Sequence, residues 1–261
     1  MTTDPAPQWL FPMRKQRGDA PPAEARLLVL PYAAAGAASL RPLVAGLPPE
    51  IEVLGVSLPG RERRFSEPPV TGHDEIVAAV TRELAAREPL PTWLFGHSMG
   101  ASLALACALA APELCHGVVT SARKPGGLAL ESLRGLDDEA IVGFFGSVGN
   151  TAPKLLEDPF WRARLIELFR SDIALDEEVS TVIEDAPLHL PVLALGGADD
   201  PYVPAAELSA WERRTTGDCR VVVLPGAHFY LLDPANREAV QDALVAALHS
   251  AVPADAALPV R

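Results

Sequence analysis

Short runs of apolar residues alternate along the chain with longer stretches in which apolar residues recur at helical spacing. The short runs predict strands at residues 26–31, 52–58, 92–96, 116–121, 191–196 and 220–226. The longer stretches predict helices at residues 39–47, 74–88, 101–111 and 234–249. Continuous apolar strands that alternate with helices are typical of a mostly parallel sheet covered on both faces. The pattern therefore predicts an α/β fold.

One long segment, residues 123–190, interrupts this alternation. It contains no convincing strand, and amphipathic stretches at 137–148 and 158–173 predict helices. Such an insertion after a sheet strand favours a lid over a substrate channel, and the alternative is an ordinary pair of surface helices. The predicted organisation is an N-terminal lead-in outside the core at 1–25, a core at 26–122 and 191–261, and a helical lid insertion at 123–190.

Composition and charge narrow the class of protein. A chain of 261 residues fits one large domain with an insertion, and a net charge of −12 opposes binding to nucleic acid and to anionic membranes. No run of about 18 apolar residues predicts a membrane span, and the first ten residues lack the pattern of a secretory signal.

The cysteines and histidines point away from disulfides and metals. Cys107, Cys115 and Cys219 are sparse and unpatterned, which favours a reducing cytoplasm. The sequence has no CxxC pair and no HExxH run, so we expect neither a metal site nor a cofactor.

The segment Gly96-His97-Ser98-Met99-Gly100 fits the pattern G-x-S-x-G. A predicted strand leads into it and a predicted helix follows it, which is the context of a nucleophile elbow rather than of a chance Gly-Ser-Gly turn. In such an elbow the hydroxyl of Ser98 projects above the sheet, near the positive end of the helix. The N–H of Met99 points the same way, so we expect it to donate to an oxyanion.

A serine nucleophile needs a base and an acid that orients the base. Of the six histidines, His228 alone lies in a loop between the last strand and the last helix, at the end of the sheet where ligands collect. The loop after the strand at 191–196 supplies two candidate acids. We favour Asp200, which Pro201 follows directly, and Asp199 remains the alternative.

The loop after the first strand, Pro31-Tyr32-Ala33-Ala34-Ala35-Gly36, is the expected source of a second oxyanion donor. Its small residues let the backbone approach the site, and we select the N–H of Ala33. The alternative interpretation is a simple tight turn.

The sequence resembles the type II thioesterases of polyketide and nonribosomal peptide pathways. These are α/β-hydrolases that edit the biosynthetic assembly lines of antibiotics. The resemblance runs from about Leu27 to the last helix and rests on LPYAAAGAASLRPL, LPGRERRFSEPP, LFGHSMGASLA, GGADDPYVP and LPGAHFYLLD. It departs from the family where paired glycines are usual, at Ala34 and Ala35, and at Ala122, where Ser-Gly-Arg is common.

The resemblance implies an α/β-hydrolase fold and hydrolysis of acyl thioesters on the phosphopantetheine arm of a carrier protein. It implies Ser98, Asp200 and His228 as the catalytic triad and Met99 and Ala33 as the oxyanion donors. The other candidate functions are a carboxylesterase or lipase acting on small esters and a non-catalytic binding protein with a hydrolase fold.

Two groups of side chains are candidates for substrate and carrier contacts. Aromatic and aliphatic residues of the insertion either line an acyl channel or pack the lid: Phe144, Phe145, Phe160, Trp161, Leu165 and Phe169. Basic residues either form a rim that steers an acidic carrier protein or are solvated loop charges: Arg61, Arg63, Arg64, Arg123 and Lys124.

Overall fold

The computed structural model describes residues 8–14, 21–70, 72–126, 131–148 and 153–250. Parts of the predicted lead-in (1–7 and 15–20) and the end of the predicted core (251–261) lie outside the described residues. Within the described part, no helix is long and apolar enough to span a bilayer.

A seven-stranded sheet forms the centre of the molecule, in the order β1-β3-β2-β4-β5-β6-β7. Its strands are β1 Leu10–Pro12, β2 Ala25–Leu30, β3 Ile51–Val56, β4 Thr92–His97, β5 Gly117–Ser121, β6 Val192–Gly197 and β7 Cys219–Leu224. β1 pairs with β3 in antiparallel fashion, and the other neighbours are parallel. The predicted strands and the mostly parallel sheet are thus confirmed.

Helices cover both faces of this sheet and form the insertion. They are α1 Arg41–Val44, α2 His73–Ala85, α3 Met99–Ala110, α4 Glu131–Arg134, α5 Asp138–Val148, α6 Pro153–Glu157, α7 Pro159–Ile183 and α8 Arg237–Ser250. Short 3₁₀ segments occur at Ala37–Leu40, Glu62–Arg64, Pro112–Leu114, Ala205–Arg213, Tyr230–Leu232 and Pro234–Asn236.

Alternate residues of each central strand enter different halves of the core, because successive side chains of a strand point to opposite faces. Leu28 and Leu30 pack with α2 and α3 on one face, whereas Leu27 and Val29 pack with α1 and α8 on the other. Both faces of the strands are therefore apolar, which explains their continuous hydrophobic runs.

The insertion forms a third, smaller cluster around Ile141, Phe145 and Phe169. Its principal helix, α7, runs from Pro159 to Ile183, beyond the predicted end at residue 173. The N-terminal half of α7 belongs to the lid cluster, and its C-terminal half contributes Val179 and Ile183 to the core beside α3. α7 therefore spans both the predicted lid and the core.

The prediction that residues 1–25 lie outside the core is wrong for the segment around β1. Trp9, Leu10 and Phe11 are buried, and β1 extends the sheet at its β3 edge. The carboxylate of Glu83 on α2 accepts hydrogen bonds from the N–H groups of Trp9 and Leu10 at 2.8 and 2.9 Å. These contacts hold the segment against the sheet.

The strand order places the site. From β2 the chain moves to β3 on one side and then crosses through α2 to β4 on the other side, so the order reverses at β2. Ligands of α/β sheets bind beside the carboxyl ends of the strands at such a reversal. Leu30 at the end of β2 pairs with Gly96 near the end of β4, so the loops that follow these strands are adjacent.

Candidate active site

Ser98 occupies a strained turn between β4 and α3. Its backbone has φ 53° and ψ −122°, a region that residues with a side chain rarely adopt. The N–H of Ser98 donates to the carbonyl of Ser121 at 2.8 Å, and Ala101 donates to the carbonyl of Ser98 at 2.9 Å. These bonds anchor the turn to β5 and to the first turn of α3.

Both glycines of the motif are required by close backbone packing. A Cβ atom on Gly96 would overlap the backbone of Gly100, and one on Gly100 would overlap the carbonyl oxygen of Leu30. The strand and the helix can approach each other this closely only without side chains at these positions. The sequence motif thus encodes the geometry that exposes Ser98.

His228 and Asp200 meet Ser98 at the carboxyl end of the sheet. Nε2 of His228 lies 3.1 Å from Oγ of Ser98, and Nδ1 lies 2.8 Å from Oδ2 of Asp200. The other carboxylate oxygen of Asp200 accepts from the N–H groups of Tyr202 and Val203 at 2.9 and 3.1 Å. With Nδ1 donating to the carboxylate, Nε2 is the acceptor for the Ser98 hydroxyl.

Between the two candidate acids, the geometry favours Asp200. Asp200 is buried, whereas the side chain of Asp199 is exposed and its backbone N–H donates to Gly226. Among the other histidines, His73 contacts Glu178 and His189 contacts Thr216, both away from Ser98.

Both predicted oxyanion donors border the same pocket as Ser98. Met99 is the first residue of α3, so its N–H is one of the helix N-terminal groups that have no partner within the helix. Ala33 lies in the loop after β2, and both residues line the pocket. The structure therefore brings together all five of the residues predicted for catalysis.

Two of the three alanines that replace the family's usual glycines fall where the backbone is left-handed. Ala34 has φ 60° and Ala122 has φ 50°. Residues other than glycine occupy this region at a cost of roughly 1–2 kcal/mol. Ala35, at the other usual glycine position, is not among the residues with positive φ.

The pocket beside Ser98 contains about 430 Å³ of empty space, part of which is open to solvent. Its apolar lining comes from the lid and from the loop after His228: Leu133, Phe144, Phe169, Ile173 and Phe229. An apolar lining beside the nucleophile suits an acyl group.

Of the six lid side chains, for which lining and packing were the alternatives, two line the pocket and two others pack within the lid. Phe144 and Phe169 line the pocket, while Phe145 is buried within the lid cluster and Leu165 packs against that cluster. Phe160 and Trp161 are 61% and 40% exposed and contact each other and Phe65. They lie at the start of α7, outside the lining of the pocket.

The predicted basic rim is wrong, because most of its members are structural ion pairs. Arg61 is buried with Asp172, and Arg123 is fully buried with Asp176. Arg64 is buried, pairs with the partly exposed Glu67 and stacks over Trp9. Lys124 pairs with Glu207. Arg63 is exposed, with its guanidinium 4.5 Å from the centre of the Phe11 ring. The alternative of solvated loop charges therefore fits Arg63 alone.

Two buried aspartates of α7 were not predicted from the sequence. Asp172 forms a two-point pair with Arg61 at 2.6 and 2.8 Å, and Asp176 borders the pocket and pairs with Arg123 at 3.3 Å. Their spacing of four residues beside Phe169 and Ile173 places them on the apolar face of the helix. The sequence signal for these residues was the presence of two acidic residues, spaced by four, on the apolar face of the helix.

His97 packs beside His228, the predicted base. It is fully buried, its ring centre lies 5.1 Å from that of His228, and its Nδ1 lies 3.0 Å from Oγ of Ser121. Burial, and secondarily the charge of His228, holds the pKa of His97 well below its usual value of 6.5. His97 is therefore a weak base, and it is His228 that contacts the Ser98 hydroxyl.

No group of three His, Cys, Asp or Glu side chains in the described part of the chain is arranged to hold a metal ion.

Comparison with known proteins identifies the family. The family model described as a thioesterase domain matches residues 25–248. The chain is 32% identical over 245 residues to the probable cadicidin biosynthesis thioesterase of Streptomyces griseus, a match that spans 91% of this chain and 66% of that protein. It is 34% identical over 228 residues to thioesterase PikA5 of Streptomyces venezuelae, spanning 82% of this chain and 78% of that protein.

Among solved structures, the chain is similar to the type II thioesterase BorB from the borrelidin biosynthetic cluster. The two share 30% identity and superpose with a TM-score of 0.72, over 94% of this chain and 100% of BorB. The chain thus belongs to the thioesterase family, it is a serine hydrolase, and its fold is the predicted α/β-hydrolase fold. The resemblance to type II thioesterases inferred from the sequence motifs is confirmed.

Proposed function

We propose that the enzyme hydrolyses acyl thioesters from the phosphopantetheine arm of an acyl or peptidyl carrier protein, and so removes aberrant acyl groups from a polyketide or nonribosomal peptide assembly line. The observation that carries this proposal is the hydrogen-bonded series Ser98–His228–Asp200 at the mouth of an apolar pocket. The printed names of the relatives, which are thioesterases of biosynthetic pathways, favour a thioester substrate.

The reaction proceeds in two acyl transfers. Nε2 of His228 takes the proton of Ser98 as Oγ forms a bond to the thioester carbonyl carbon, and Asp200 stabilises the resulting imidazolium. The N–H groups of Met99 and Ala33 donate to the oxyanion. The C–S bond then breaks, and His228 returns its proton to the departing thiolate.

Water completes the second transfer. His228 takes a proton from the water as its oxygen attacks the acyl carbon, and the C–O bond to Ser98 breaks as the proton returns to Oγ. The products are a free carboxylic acid and a carrier protein with a free thiol.

A test with intact carrier protein distinguishes this function from its alternatives. A panel of acyl groups is loaded on the phosphopantetheine of a carrier protein, and mass spectrometry follows the loss of each acyl group. Ser98→Ala is expected to lose the activity by several powers of ten, while Ser209→Ala, an exposed serine elsewhere, retains it.

The other outcomes identify the alternatives. Hydrolysis of p-nitrophenyl esters without any release from the carrier would assign a carboxylesterase. A failure of fluorophosphonate to label Ser98 in the folded protein would assign a non-catalytic binding protein.

A further inference from the structure

Asp176 has a carboxylate oxygen that the protein leaves unsatisfied. The side chain is 1% exposed, and Oδ1 accepts hydrogen bonds from Ser102 Oγ and, at 3.3 Å, from Nη1 of Arg123. Oδ2 is buried and has no hydrogen-bond partner among the described residues. Leaving a buried acceptor unpaired costs roughly 1–3 kcal/mol, and more when the group is charged.

This carboxylate borders the pocket beside Ser98. Asp176 is the only carboxylate among the described residues that line the pocket, and its neighbours there include Phe169 and Ile173 of the same helix. A donor that enters the pocket would satisfy Oδ2, whereas an alkyl chain against it would leave Oδ2 without water and without a partner.

The charges around Asp176 fix what it can recognise. Arg123 is fully buried, and its other terminal nitrogen, Nη2, donates to Ser180 Oγ at 3.1 Å. The pKa of Asp176 is raised above its usual value, mainly by burial and also by the charges of Asp172 and Glu177, although the Arg123 charge and the Ser102 hydrogen bond oppose the rise. Paired with a guanidinium, the carboxylate accepts hydrogen bonds and donates none.

The position of Asp176 relative to Ser98 sets the distance along the substrate. Ser102, which donates to Asp176, lies in the first turns of α3, the helix that begins directly after Ser98. Ser98 and Asp176 line the same pocket, so an acyl group attached to Ser98 runs beside Asp176 near its carbonyl end.

We propose that Asp176 is a specificity-determining residue that selects acyl groups with a hydroxyl or an amino group near the β-carbon. This inference rests on the proposed thioesterase function and deepens it, because it names the class of acyl group that the enzyme removes. A site that hydrogen-bonds a substrate OH or NH discriminates against the analogue without it. The preference over the unsubstituted acyl group is at least about tenfold in kcat/KM.

The test compares pantetheine thioesters of one chain length, so that carrier docking does not contribute. The substrates are hexanoyl, β-hydroxyhexanoyl, β-aminohexanoyl and ε-hydroxyhexanoyl pantetheine. The wild-type enzyme is expected to favour both β-substituted substrates over hexanoyl by about tenfold or more, with no comparable gain for the ε-hydroxyl.

The variant Asp176→Asn keeps the size of the side chain and an oxygen for Ser102 and Arg123, but replaces Oδ2 by an amide that donates. It is expected to lose the preference for the β-amino substrate while it still hydrolyses hexanoyl pantetheine. Glu177→Gln, the adjacent acid that pairs with Arg134 outside the pocket, is the matched control and keeps the wild-type preference. Thermal unfolding confirms that each variant is folded.

A second measurement reports the pocket without turnover. Ser98→Ala is titrated with the non-hydrolysable amide analogues of the hexanoyl and β-aminohexanoyl substrates. The ratio of the Kd for the hexanoyl analogue to the Kd for the β-aminohexanoyl analogue is expected to fall about tenfold when Asp176→Asn is added. This arm tests Asp176 even if no thioester is turned over, an outcome that would instead count against the proposed function.

Three results would overturn the inference. These are equal rates for the β-substituted and unsubstituted substrates in the wild-type enzyme, an unchanged preference in Asp176→Asn, and a preference confined to the ε-hydroxyl. In each case, loss of hexanoyl hydrolysis in Ser98→Ala would leave the thioesterase function standing.

Discussion

The carboxylate of Asp172 on α7 accepts a 2.7 Å hydrogen bond from the backbone N–H of Ala34, in the loop after β2. The same oxygen accepts from Nη1 of Arg61, which also donates to the carbonyl of Ala35 at 3.1 Å. A helix of the insertion is therefore joined to the loop that carries Ala33, one of the two proposed oxyanion donors.

Substitution of Asp172 should impair both folding and turnover. Asp172→Asn leaves Arg61 buried without its counter-charge, for which we expect a loss of about 3–5 kcal/mol in the free energy of unfolding. Under conditions where the variant is folded, kcat is expected to fall more than KM changes, because a neutral amide holds Ala34 and Arg61 more weakly and so loosens the loop with Ala33. Urea unfolding and steady-state kinetics measure these effects.

The control for this prediction is the double variant Asp172→Asn with Arg61→Met. It removes the unpaired charge and is expected to recover part of the lost stability without restoring the full kcat. Wild-type stability in Asp172→Asn alone would contradict the importance of the pair.

Ala34 is predicted to be a site where glycine stabilises the protein. Its φ of 60° costs a residue with a side chain roughly 1–2 kcal/mol, and glycine adds about 0.4–1 kcal/mol of unfolded-state entropy. Ala34→Gly is therefore expected to raise the free energy of unfolding by up to about 1 kcal/mol.

Ala35 provides the matched comparison, because it is the next residue and has no positive φ. Ala35→Gly is expected to lower stability by about 0.4–1 kcal/mol, through the unfolded chain. Equal shifts for the two variants in urea unfolding would refute the strain at Ala34.

The neighbouring aspartates offer a test of the orienting acid. Asp200→Asn keeps the shape of the site but places an amide against Nδ1 of His228, which favours the wrong tautomer, so we expect kcat to fall by about 10⁴. Asp199→Asn changes an exposed side chain and is expected to retain wild-type kcat. A large loss in Asp199→Asn with an active Asp200→Asn would reverse the assignment.

His97 makes folding stability sensitive to acid. Because burial keeps the pKa of His97 well below 6.5 in the folded state, the unfolded chain binds a proton there that the folded protein does not as pH falls below 6.5. This stability is thus present above pH 6.5 and declines below it, by up to about 1.4 kcal/mol per pH unit.

The variant His97→Gln removes this proton uptake. Its unfolding free energy, measured by urea titration between about pH 6.5 and 5, is expected to fall less steeply than that of the wild type. His249→Gln, at the exposed end of α8, keeps the wild-type slope as the control. Identical slopes for His97→Gln and wild type would show that His97 is protonated in the folded state.

The sequence predicted the parts of this molecule that depend on local pattern. The buried strands were visible because both of their faces are apolar, and the elbow was visible because Gly96 and Gly100 are fixed by backbone packing around Ser98. The choice of His228 followed from its place after the last strand.

Features that depend on partners distant in sequence were missed. β1 is three residues long and gains its stability from β3 and from Glu83 on α2. It is too short to show a periodic pattern of apolar residues. The predicted helix ended at residue 173, whereas α7 continues to Ile183 and its Asp176 is buried against Arg123, which follows β5. The arginines of the supposed rim were misjudged for the same reason, since burial of a charge depends on a counter-charge elsewhere in the chain.

The continuity of α7 has a consequence for protein engineering. One helix begins among the lid residues and ends against α3. The insertion therefore has no boundary at which it can be replaced, as a unit, by the insertion of a related protein. A chimaera joined at residues 123 and 190 would also replace the C-terminal half of α7, which packs against the core. Grafts that exchange the lid should therefore keep the C-terminal half of α7, with Asp176, from the host, and the junction should be placed within the helix after Ile173.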